Sequence, residues 1–349
     1  MVPGIFVSLL YFLYIKNMKE NIIEPTLFDF PEPAPVESAN QNLHRAKREK
    51  NDEFYTRLED IANEVALYDR EFFNGKRVYC PCDGENSNFF VYFKDNFSRL
   101  GLKSLTITKH NPVQNGHGEK VVFCGGEPVR ETLNGNGDFA SPECVKIMTE
   151  SDIVVTNPPF SLFRRFIEQI MSIGNKFLVI GNSNAITYKE IYKLIQVNKL
   201  WVGRTHPKIF EVPLQCVENP KTQFEKDGKI YQKFGNICWF TNLTHDMRDA
   251  GIQMTKTYAG RESMYPKYEN KDAIEIGHKT SSGKWEGSLD EIPYDYDGVM
   301  GVPITFLDRY NPDQFEIVGF RKGDDGKDLR FNGIEPYFRV LVKIKKQSP

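Results

Sequence analysis

The chain has few features that would assign it to a metal-binding or disulfide-rich class of protein. None of its six cysteines lies in a Cys-x-x-Cys pair, and no histidine cluster accompanies them at the spacing of a zinc site. The six are Cys80, Cys82, Cys124, Cys144, Cys216 and Cys238. We therefore expect no metal site, and we interpret most of the cysteines as reduced and buried, which is typical of a cytoplasmic protein.

Long hydrophobic runs are also missing. The apolar run at 5–14 is shorter than the roughly 20 residues that span a bilayer, so we expect no membrane anchor. No basic residues precede the run and no small-residue cleavage site follows it, which argues against a signal peptide. Because Met18 begins a stretch of ordinary polar character, we interpret residues 1–17 as an upstream extension.

The sequence has no excess of positive charge. Lysine and arginine total 45, aspartate and glutamate total 47, and the formal net charge is −2. A surface that binds nucleic acid must therefore be local. One candidate is the basic cluster at 45–50, for which the alternative is a solvated face.

The most informative stretch is Ser151–Phe160, in which a short apolar strand runs into two prolines. Ile153–Val155 are β-branched and apolar, as in a buried strand. The strand must end at Asn157, because proline lacks a backbone N–H and keeps the preceding residue extended. From 162 to 171 the apolar residues recur on one helical face. The pattern predicts a rigid loop at the carboxyl end of a strand, where open α/β sheets bind their ligands.

The loop residues Asn157, Pro158, Pro159 and Phe160 suit the chemistry of an amino group. The side-chain carbonyl of Asn157 and the main-chain carbonyls of the proline-fixed loop could accept both hydrogens of a planar –NH2 group. This contact would draw the nitrogen lone pair out of conjugation, and Phe160 could stack on the ring that carries the amine. Asn/Asp-Pro-Pro-aromatic is the signature of methyltransferases that modify exocyclic or amide nitrogens. The alternative is a tight strand-to-helix turn without chemistry.

Strands and helices alternate at short spacing between about 76 and 200. The strands are expected at 77–82, 105–108, 121–124, 153–155 and 177–180. The helices are expected from Asp52, at about 87–100, after Ser141-Pro142, from 162, and after a capping box at Thr187–Glu190. This rhythm predicts an α/β fold with a Rossmann-like, doubly wound parallel sheet.

A methyl group transferred to nitrogen requires a sulfonium donor, for which S-adenosylmethionine is the expected cofactor. Its sites usually have a glycine-rich turn after the first strand, so that the backbone can approach the ligand closely. The candidate turn here contains Cys80, Asp83 and Gly84, with only one of the expected glycines. Upstream of it, Phe54 and Tyr55 could place their ring faces near the cationic sulfur.

A third candidate for the cofactor site lies upstream of the Ser151–Phe160 stretch. Asp138 could accept from the amine of the cofactor's adenine, while Phe139 packs on the adenine ring. The alternative for Asp138 and Phe139 is a plain turn.

Nine segments occur in an order that resembles a known family. They are Asp52–Thr56, Val78–Asp83, Ser87–Phe90, Gly137–Phe139, Ser151–Phe163, Ile186–Glu190, Tyr265–Tyr268, Asp297–Leu307 and Pro336–Arg339. Together they resemble the adenine-specific DNA methyltransferases of the EcoRI restriction–modification type. The resemblance spans roughly 45–345 and is loosest between about 204 and 235. It implies S-adenosylmethionine as the donor and the exocyclic amine of adenine in double-stranded DNA as the acceptor.

Two departures from the wider methyltransferase pattern concern the cofactor. The usual Gly-x-Gly turn is reduced to Gly84-x-Asn86, and no acidic residue follows the second strand to hold the ribose hydroxyls. The residue that binds the ribose therefore stays open.

The resemblance divides the chain into four expected regions. They are a flexible extension at 1–46, a catalytic domain at 47–203, a region of DNA target recognition at 204–295, and a strand-rich segment at 296–349 that packs on the catalytic core. The expected phosphate contacts are Arg164, Arg165, Arg204 and Lys208, each of which is otherwise a solvated side chain.

Two other functions stay open at this point. The same loop can serve a methyltransferase that acts on protein glutamine or on RNA, although the long region after the sheet argues against it. A catalytically inactive relative that only binds DNA would explain the reduced glycine turn. We expect a monomer, and the sequence leaves open whether a restriction endonuclease acts on the same DNA site.

Overall fold

The computed structural model describes residues 55–113, 115–212, 223–321, 329–336 and 338–345 of the 349-residue chain. Eighteen strands form within these ranges. In chain order they are β1 (Tyr55–Thr56), β2 (Arg77–Pro81), β3 (Ser104–Lys109), β4 (Glu119–Phe123), β5 (Val129–Thr132), β6 (Ile153–Thr156), β7 (Lys176–Asn182), β8 (Trp201–Val202), β9 (Ile209–Glu211), β10 (Gln223–Lys226), β11 (Lys229–Lys233), β12 (Ile237–Thr241), β13 (Ala273–Glu275), β14 (His278–Lys279), β15 (Trp285–Glu286), β16 (Val299–Pro303), β17 (Phe315–Arg321) and β18 (Arg339–Ile344).

Seven α-helices lie between these strands in the described ranges. They are α1 (Leu58–Val65), α2 (Asn88–Asp95), α3 (Phe97–Leu100), α4 (Pro142–Glu150), α5 (Phe163–Ile173), α6 (Lys189–Gln196) and α7 (Asp246–Asp249). None of the helices in the described part of the chain combines the length and apolar character needed to cross a membrane.

Eight strands form the central sheet, in the order β5-β4-β3-β2-β6-β7-β12-β8. The four neighbours β3, β2, β6 and β7 run parallel to one another. The flanking strands β4 and β12 are antiparallel to their inner neighbours. The sheet is therefore mixed, whereas the sequence predicted a parallel one. The reason on the β4 side is that parallel neighbours need a crossover, usually a helix, and the described residues of the connection at 110–118 form none.

Both faces of the central sheet are covered. Successive side chains of a strand point to opposite faces, so Val154 of β6 lies in one hydrophobic core while Ile153 and Val155 lie in the other. Helices α5 and α6 bury their apolar residues in the first core. Helices α1 and α2 bury theirs in the second. The predicted α/β class is therefore confirmed.

Three smaller sheets complete the described structure. One has the order β1-β9-β11-β10, another has the order β13-β16-β18-β17, and β14 pairs with β15. The second of these joins the first core through Met300, Val302, Val340 and Val342. Strand β12, from the segment at 204–295, lies in the central sheet between β7 and β8.

Two helix starts differ from the sequence prediction. Tyr55 and Thr56, expected inside a helix, form β1 and pair with Glu211 and Phe210 of β9. Helix α6 begins at Lys189, one residue later than a cap at Thr187 would place it, and Thr187 does not cap it. The Thr187 hydroxyl donates instead to the Asn184 carbonyl over 2.8 Å, because Ser183–Thr187 form a 3-10 helix of their own.

Helix α4 begins as its sequence predicts. The Ser141 side chain accepts from the backbone N–H of Cys144, and Pro142 occupies the first turn, where its missing N–H costs no hydrogen bond. Helix α2 begins after Ser87, whose side chain accepts from the N–H of Phe90. These caps fix the starts of two helices that follow loops at the edge of the central sheet.

Candidate active site

The carboxyl ends of β2, β3, β6 and β7 meet at one edge of the central sheet, because these four strands are parallel. Loops at this edge are the usual location of ligand sites in open α/β sheets. Two segments that the sequence singled out lie here. They are the turn after β2, with Asp83 and Gly84, and the loop after β6, which begins at Asn157.

The loop after β6 has the predicted strand–loop–helix form. Strand β6 is fully buried and ends at Thr156. Pro159 then precedes a short 3-10 helix at Phe160–Leu162, and its carbonyl accepts from the N–H of Leu162 over 2.9 Å. Helix α5 follows at once. Two prolines and a hydrogen-bonded turn therefore fix the backbone of this loop.

The loop is only partly exposed, and the side-chain oxygen of Asn157 has almost no exposed surface. Asn157, Pro159 and Phe160 are half-buried, and Pro158 is buried. The ring of Phe160 packs along one side against the second core and keeps part of its surface exposed. A flat ring could therefore reach Phe160 without displacing the core.

The turn after β2 is tied to the loop after β6. The Thr156 hydroxyl donates to the Asp83 carboxylate over 2.7 Å. Asp83 is itself buried, and the Ser87 hydroxyl is a second hydrogen-bond partner of its carboxylate. Desolvation by burial raises the pKa of the Asp83 carboxyl to about 7, and the hydrogen bonds from Thr156 and Ser87 oppose this rise.

The raised pKa of the Asp83 carboxyl leads to a prediction about how the stability of the protein depends on pH. Asp83 binds its proton more tightly in the folded chain than in the unfolded chain, so its contribution to the free energy of unfolding should decrease as the pH rises from about 4 to about 7. Replacing Asp83 with asparagine should remove this decrease. Urea unfolding of both proteins between pH 5 and pH 8 measures the difference.

Asp152 provides the control, because its pKa shifts the other way. The Arg77 guanidinium and the Arg77 N–H lower the pKa of the Asp152 carboxyl. The contribution of Asp152 to the free energy of unfolding should be complete above the unfolded-state pKa and be lost as the pH falls through the folded-state pKa. Asp152→Asn should therefore leave the pH dependence of the free energy of unfolding unchanged above pH 5. An Asp83→Asn variant with the wild-type slope would contradict the assignment to Asp83.

Gly84 lies beside the end of β3. A Cβ atom built on Gly84 would approach the Cδ of Lys109 to 3.2 Å, so the aliphatic part of Lys109 crosses the turn. Cys80, two residues before the middle of the turn, has no exposed surface and belongs to the second core. Only the main chain of Cys80 could therefore contact a bound molecule.

The segment with Asp138 docks against the same edge of the sheet. Gly137 has a φ of 79°, and a Cβ atom there would lie 2.6 Å from the Lys109 carbonyl, so no other residue fits without a shift of the backbone. The Asp138 side chain accepts from the N–H of Ala140 over 2.7 Å. The ring of Phe139 is buried against Phe166, with ring centroids 4.9 Å apart, so Phe139 does not line an open cleft.

The segment before α1 reaches the start of α2. Phe54 lies outside the described residues. Tyr55 is 46% exposed, and the Thr56 carbonyl accepts from the Asn88 side chain over 2.7 Å. The Thr56 hydroxyl is buried and has no hydrogen-bond partner among the residues that the structure describes. This segment therefore packs against the start of α2, the helix that follows the turn after β2.

A cleft of about 540 Å³, lined in part by Asn88, opens between α1 and the strands β9, β10 and β11. Its charged walls are largely neutralised by ion pairs, since Arg57 contacts Asp60 and Lys229 contacts Glu211, each over 2.8 Å. Asn157 and Asp83 are not among its walls. We therefore place the candidate site at the sheet edge and not in this cleft.

The four cations predicted to contact phosphate have different surroundings. Arg164 lies 3.7 Å from Glu190 and over the ring of Tyr188, and Arg165 covers the ring of Phe139. Both are exposed.

Arg204 is 13% exposed and forms an ion pair with Asp246, and Lys208 is exposed. The backbone N–H groups of Arg204 and Thr205 donate to the buried carboxylate of Glu64, over 2.7 and 2.6 Å. This contact anchors the start of the segment after β8 to α1.

One residue of the site received no role from the sequence. Thr156 is a polar residue at the end of an otherwise apolar strand, and this was the only signal for it. Its partner Asp83 is 73 positions away in the sequence, so the pairing of β2 with β6 was needed to find it. Among the described residues no cluster of three or more His, Cys, Asp or Glu side chains could hold a metal ion.

Comparison with known proteins supports a relationship over nearly the whole chain. The family model of the adenine-specific methyltransferase EcoRI matches residues 42–123 and 119–345. The chain is 43% identical over 333 residues to the Type II methyltransferase M.EcoRI of Escherichia coli, which covers 88% of this chain and 98% of that protein. It is 42% identical over 326 residues to the Type II methyltransferase M.MpnI of Mycoplasma pneumoniae, covering 87% of this chain and 98% of that protein.

A third relative extends the comparison. The Type II methyltransferase M.MgeORF184P of Mycoplasma genitalium is 38% identical over 324 residues, covering 86% of this chain and 98% of that protein. None of the solved structures compared with the chain matches it. The resemblance inferred from the nine sequence segments is confirmed, and the chain belongs to the family of EcoRI-type adenine-specific methyltransferases.

Proposed function

We propose that this enzyme is a site-specific DNA methyltransferase, which moves a methyl group from S-adenosylmethionine to the exocyclic N6 of an adenine rotated out of the duplex. The observation that carries the proposal is the position of the Asn157 loop. It lies at the same sheet edge as the Cys82–Gly84 turn and is linked to it by the bond from Thr156 to Asp83. The family relationship supports DNA as the substrate.

The residues at this edge fit S-adenosylmethionine. Gly84 and Gly137 both pack closely against Lys109, which brings the turn after β2 and the Asp138 segment together at the end of β3. The buried Thr56 hydroxyl, which has no partner in the described residues, suits a polar group such as the amino-acid end of the cofactor. When bound, the cofactor would supply an electrophilic methyl group on a cationic sulfur. Thr56, Asp83 and Gly84 would hold it, and Asp138 would accept from its adenine.

The Asn157 loop would hold and polarise the acceptor. The Asn157 side-chain carbonyl and the Pro158 main-chain carbonyl would each accept one hydrogen of the adenine amine. The carbonyl of Pro159 is already used by Leu162, which leaves Pro158 as the main-chain acceptor. These two contacts localise the lone pair on N6 and direct it away from the ring. No strong general base is needed, because the methylated amine is acidic enough to release its proton to water.

The energy of base extrusion gives Phe160 a specific role. Removing a base from the stack costs a few kcal/mol, and two hydrogen bonds contribute only about 0.5–1.5 kcal/mol each. Stacking on an aromatic side chain contributes about 1–3 kcal/mol per base, which is enough to favour the extruded state. Phe160 is half-buried at the loop and is held from behind by the second core, so its ring is already oriented.

Replacing Phe160 with alanine should therefore weaken retention of the extruded base. The loss of about 1–3 kcal/mol of stacking corresponds to a fall of roughly 5- to 150-fold in the extrusion equilibrium. A fluorescent adenine analogue at the target position measures this directly, because its emission rises when it leaves the stack.

Two variants test the interpretation of that result. Phe160→Tyr keeps the ring and should keep the fluorescence. Phe72→Ala removes another half-buried ring that packs against the same core, so it should affect stability without changing base extrusion. Equal fluorescence for Phe160→Ala and the wild type would contradict the stacking role.

The experiment that tests the function as a whole is a methyl-transfer assay. The protein is incubated with S-adenosylmethionine carrying a labelled methyl group and with DNA, RNA or protein as the acceptor. We expect label in DNA alone, on N6 of adenine, at one short sequence that sequencing of modified bases identifies. Label in RNA or on protein glutamine would refute DNA as the acceptor. Absence of both cofactor binding and methyl transfer would indicate an inactive relative.

Several finer assignments belong to the same proposal. The central sheet would be the Rossmann-like cofactor domain, and the segment at 204–295 would read the DNA sequence, with exposed Lys208 and Arg165 contacting phosphates. A monomer in the cytoplasm, acting beside a restriction endonuclease for the same site, is the expected setting. Sedimentation with and without DNA measures the oligomeric state.

A further inference from the structure

Thr156 lies directly before Asn157 and faces the turn that follows β2. Its side chain has no exposed surface, and its Oγ1 atom donates to Asp83 Oδ2 over 2.7 Å. The same hydroxyl is in hydrogen-bond contact with the main-chain carbonyl of Pro81. Its two partners flank Cys82. One side chain at the end of β6 therefore contacts the turn on both sides of its middle residue.

The backbone of this turn is unusual at Cys82. Its φ of 66° is in the left-handed region, which residues other than glycine rarely adopt. Such a conformation persists only where surrounding contacts hold it. The main chains of β2 and β6 pair at Val78–Ile153 and Tyr79–Val154, and two residues further along each strand the Thr156 hydroxyl contacts Pro81. The Thr156 side chain thus extends the link between the strands to the turn.

Thr156 shares its hydroxyl between two acceptors, the Pro81 carbonyl and the Asp83 carboxylate. A hydroxyl carries one proton, so Thr156 cannot donate at full strength to both Pro81 and an ionised Asp83. If Asp83 is protonated, its carboxyl can donate to Thr156 Oγ1, and Thr156 can donate to Pro81. In both protonation states the Thr156 hydroxyl lies between the Asp83 carboxyl and the Pro81 carbonyl. Without this hydroxyl, neither state has a side-chain hydrogen bond here that links the turn to β6.

We propose that Thr156 is a positioning residue for methyl transfer, an inference that rests on the function proposed above. Its hydroxyl ties the Cys82–Gly84 turn, which would hold the methyl donor, to the Asn157 loop, which would hold the acceptor amine. The hydroxyl thereby fixes the distance between the site of the methyl donor and the site of the acceptor amine. A displacement of about 1 Å between reacting groups can slow a reaction roughly a hundredfold, although each partner still binds. Thr156 acts through its neighbours and does not touch the reactants.

Three substitutions separate the hydroxyl from the volume of the side chain. Thr156→Val keeps the shape and removes the hydroxyl, Thr156→Ser keeps the hydroxyl, and Thr156→Cys has the size of serine with a much weaker donor. Each is compared with the wild type in a single turnover at saturating S-adenosylmethionine and saturating DNA. The dissociation constants of cofactor and DNA are measured separately by calorimetry and by titration.

A positioning role predicts that the substitutions change the single-turnover rate much more than the dissociation constants of the cofactor and of DNA. Thr156→Val and Thr156→Cys should slow the single turnover by about tenfold or more, while both dissociation constants change by less than about threefold. Thr156→Ser should remain within about threefold of the wild-type rate. A residue that matters only for folding would not show recovery by serine and loss by cysteine.

Thr241→Val is the matched control. Thr241 is also fully buried at the end of a strand of the central sheet, and its hydroxyl donates to the Phe177 carbonyl over 2.6 Å. Phe177 lies at the amino end of β7, so this bond is at the opposite edge of the sheet. Thr241→Val should lower stability and leave the single-turnover rate unchanged at temperatures where the protein is folded.

Each outcome decides the proposal. Equal rates for the serine and cysteine variants, or a loss confined to the dissociation constants, would overturn the role of Thr156. If Thr156→Val does not fold, the serine and cysteine pair gives the answer alone. A wild-type protein that transfers no methyl to DNA would refute the proposed function itself. A wild-type protein that is active beside an equally active Thr156→Val variant would refute only this inference.

Discussion

Replacing Asn157 with alanine is expected to reduce methyl transfer by at least about a hundredfold, the usual cost of losing a side chain that stabilises charge in a transition state. Two acceptors hold the adenine amine in our proposal, and alanine removes one of them. The remaining carbonyl can hold the base but cannot localise the nitrogen lone pair. The loss should therefore fall on the single-turnover rate. The affinity for S-adenosylmethionine should stay close to that of the wild type, because the turn after β2 is unchanged.

Two further variants make this result specific. Asn157→Asp keeps an acceptor oxygen and should retain part of the activity, since aspartate also occurs at this position in the signature. Asn184→Ala removes an exposed asparagine near the carboxyl end of the neighbouring strand β7 and should have no effect. Methylation by Asn157→Ala at close to the wild-type rate would refute the role of Asn157. Single-turnover assays with labelled methyl groups, together with calorimetry of cofactor binding, measure both quantities.

Replacing Arg339 with methionine is expected to lower the free energy of unfolding by about 3–5 kcal/mol, because it leaves a buried carboxylate without its counter-ion. Glu275 of β13 has no exposed surface, and the Arg339 guanidinium donates to both of its oxygens, over 2.8 to 3.0 Å. Tyr268 and Trp285 also donate to this carboxylate. Burial, followed by the charge of Glu275, raises the pKa of the Tyr268 phenol, so Tyr268 remains a neutral donor.

A double variant tests the reason for this loss. If the cost comes from an unpaired buried charge, Arg339→Met combined with Glu275→Gln should recover part of the stability, because glutamine is neutral. The exposed pair of Arg130 and Glu85 is the control, since its side chains are 63% and 33% exposed. Arg130→Met should cost no more than about 1 kcal/mol. Urea unfolding measures all four proteins, and equal losses for Arg339→Met and Arg130→Met would contradict this account.

The buried pair also concerns the candidate active site. Glu275 and Arg339 lie in the sheet formed by β13, β16, β18 and β17. Other side chains of that sheet, such as Val302 and Val340, share the first core with Phe163 and Phe166 of α5. Helix α5 directly follows the Asn157 loop. Loosening this sheet should therefore disturb the support of the loop as well as the overall stability.

Some elements of the fold were predictable because their causes are local. The apolar, β-branched residues of β6 followed by two prolines allow only a strand that stops, and the structure has that strand and that stop. The start of α4 at Ser141-Pro142 depends on a side-chain cap within the first turn. In both places the decisive contacts join residues within a few positions of one another, so the sequence contains all the information.

Other elements were not predictable because their causes are distant. Tyr55 and Thr56 have the pattern of a helix start, yet they are extended because β9, more than 150 positions later, pairs with them. Phe139 was predicted to pack on a cofactor ring, but its own ring is buried against Phe166 of α5. Residue pattern alone does not distinguish an aromatic ring that faces a ligand from one that faces a helix.

The sequence by itself determined the α/β class, the family and the strand–loop–helix form around Asn157, because strand propensity, proline geometry and side-chain polarity are properties of short segments. The tertiary structure decided that β4 and β12 run antiparallel, that Cys80 and Phe139 face the cores, and that Thr156 meets Asp83 across 73 positions. These outcomes depend on which strands become neighbours and on which face of each strand or helix is covered. Only the packing of the whole chain determines the strand order and the covered faces.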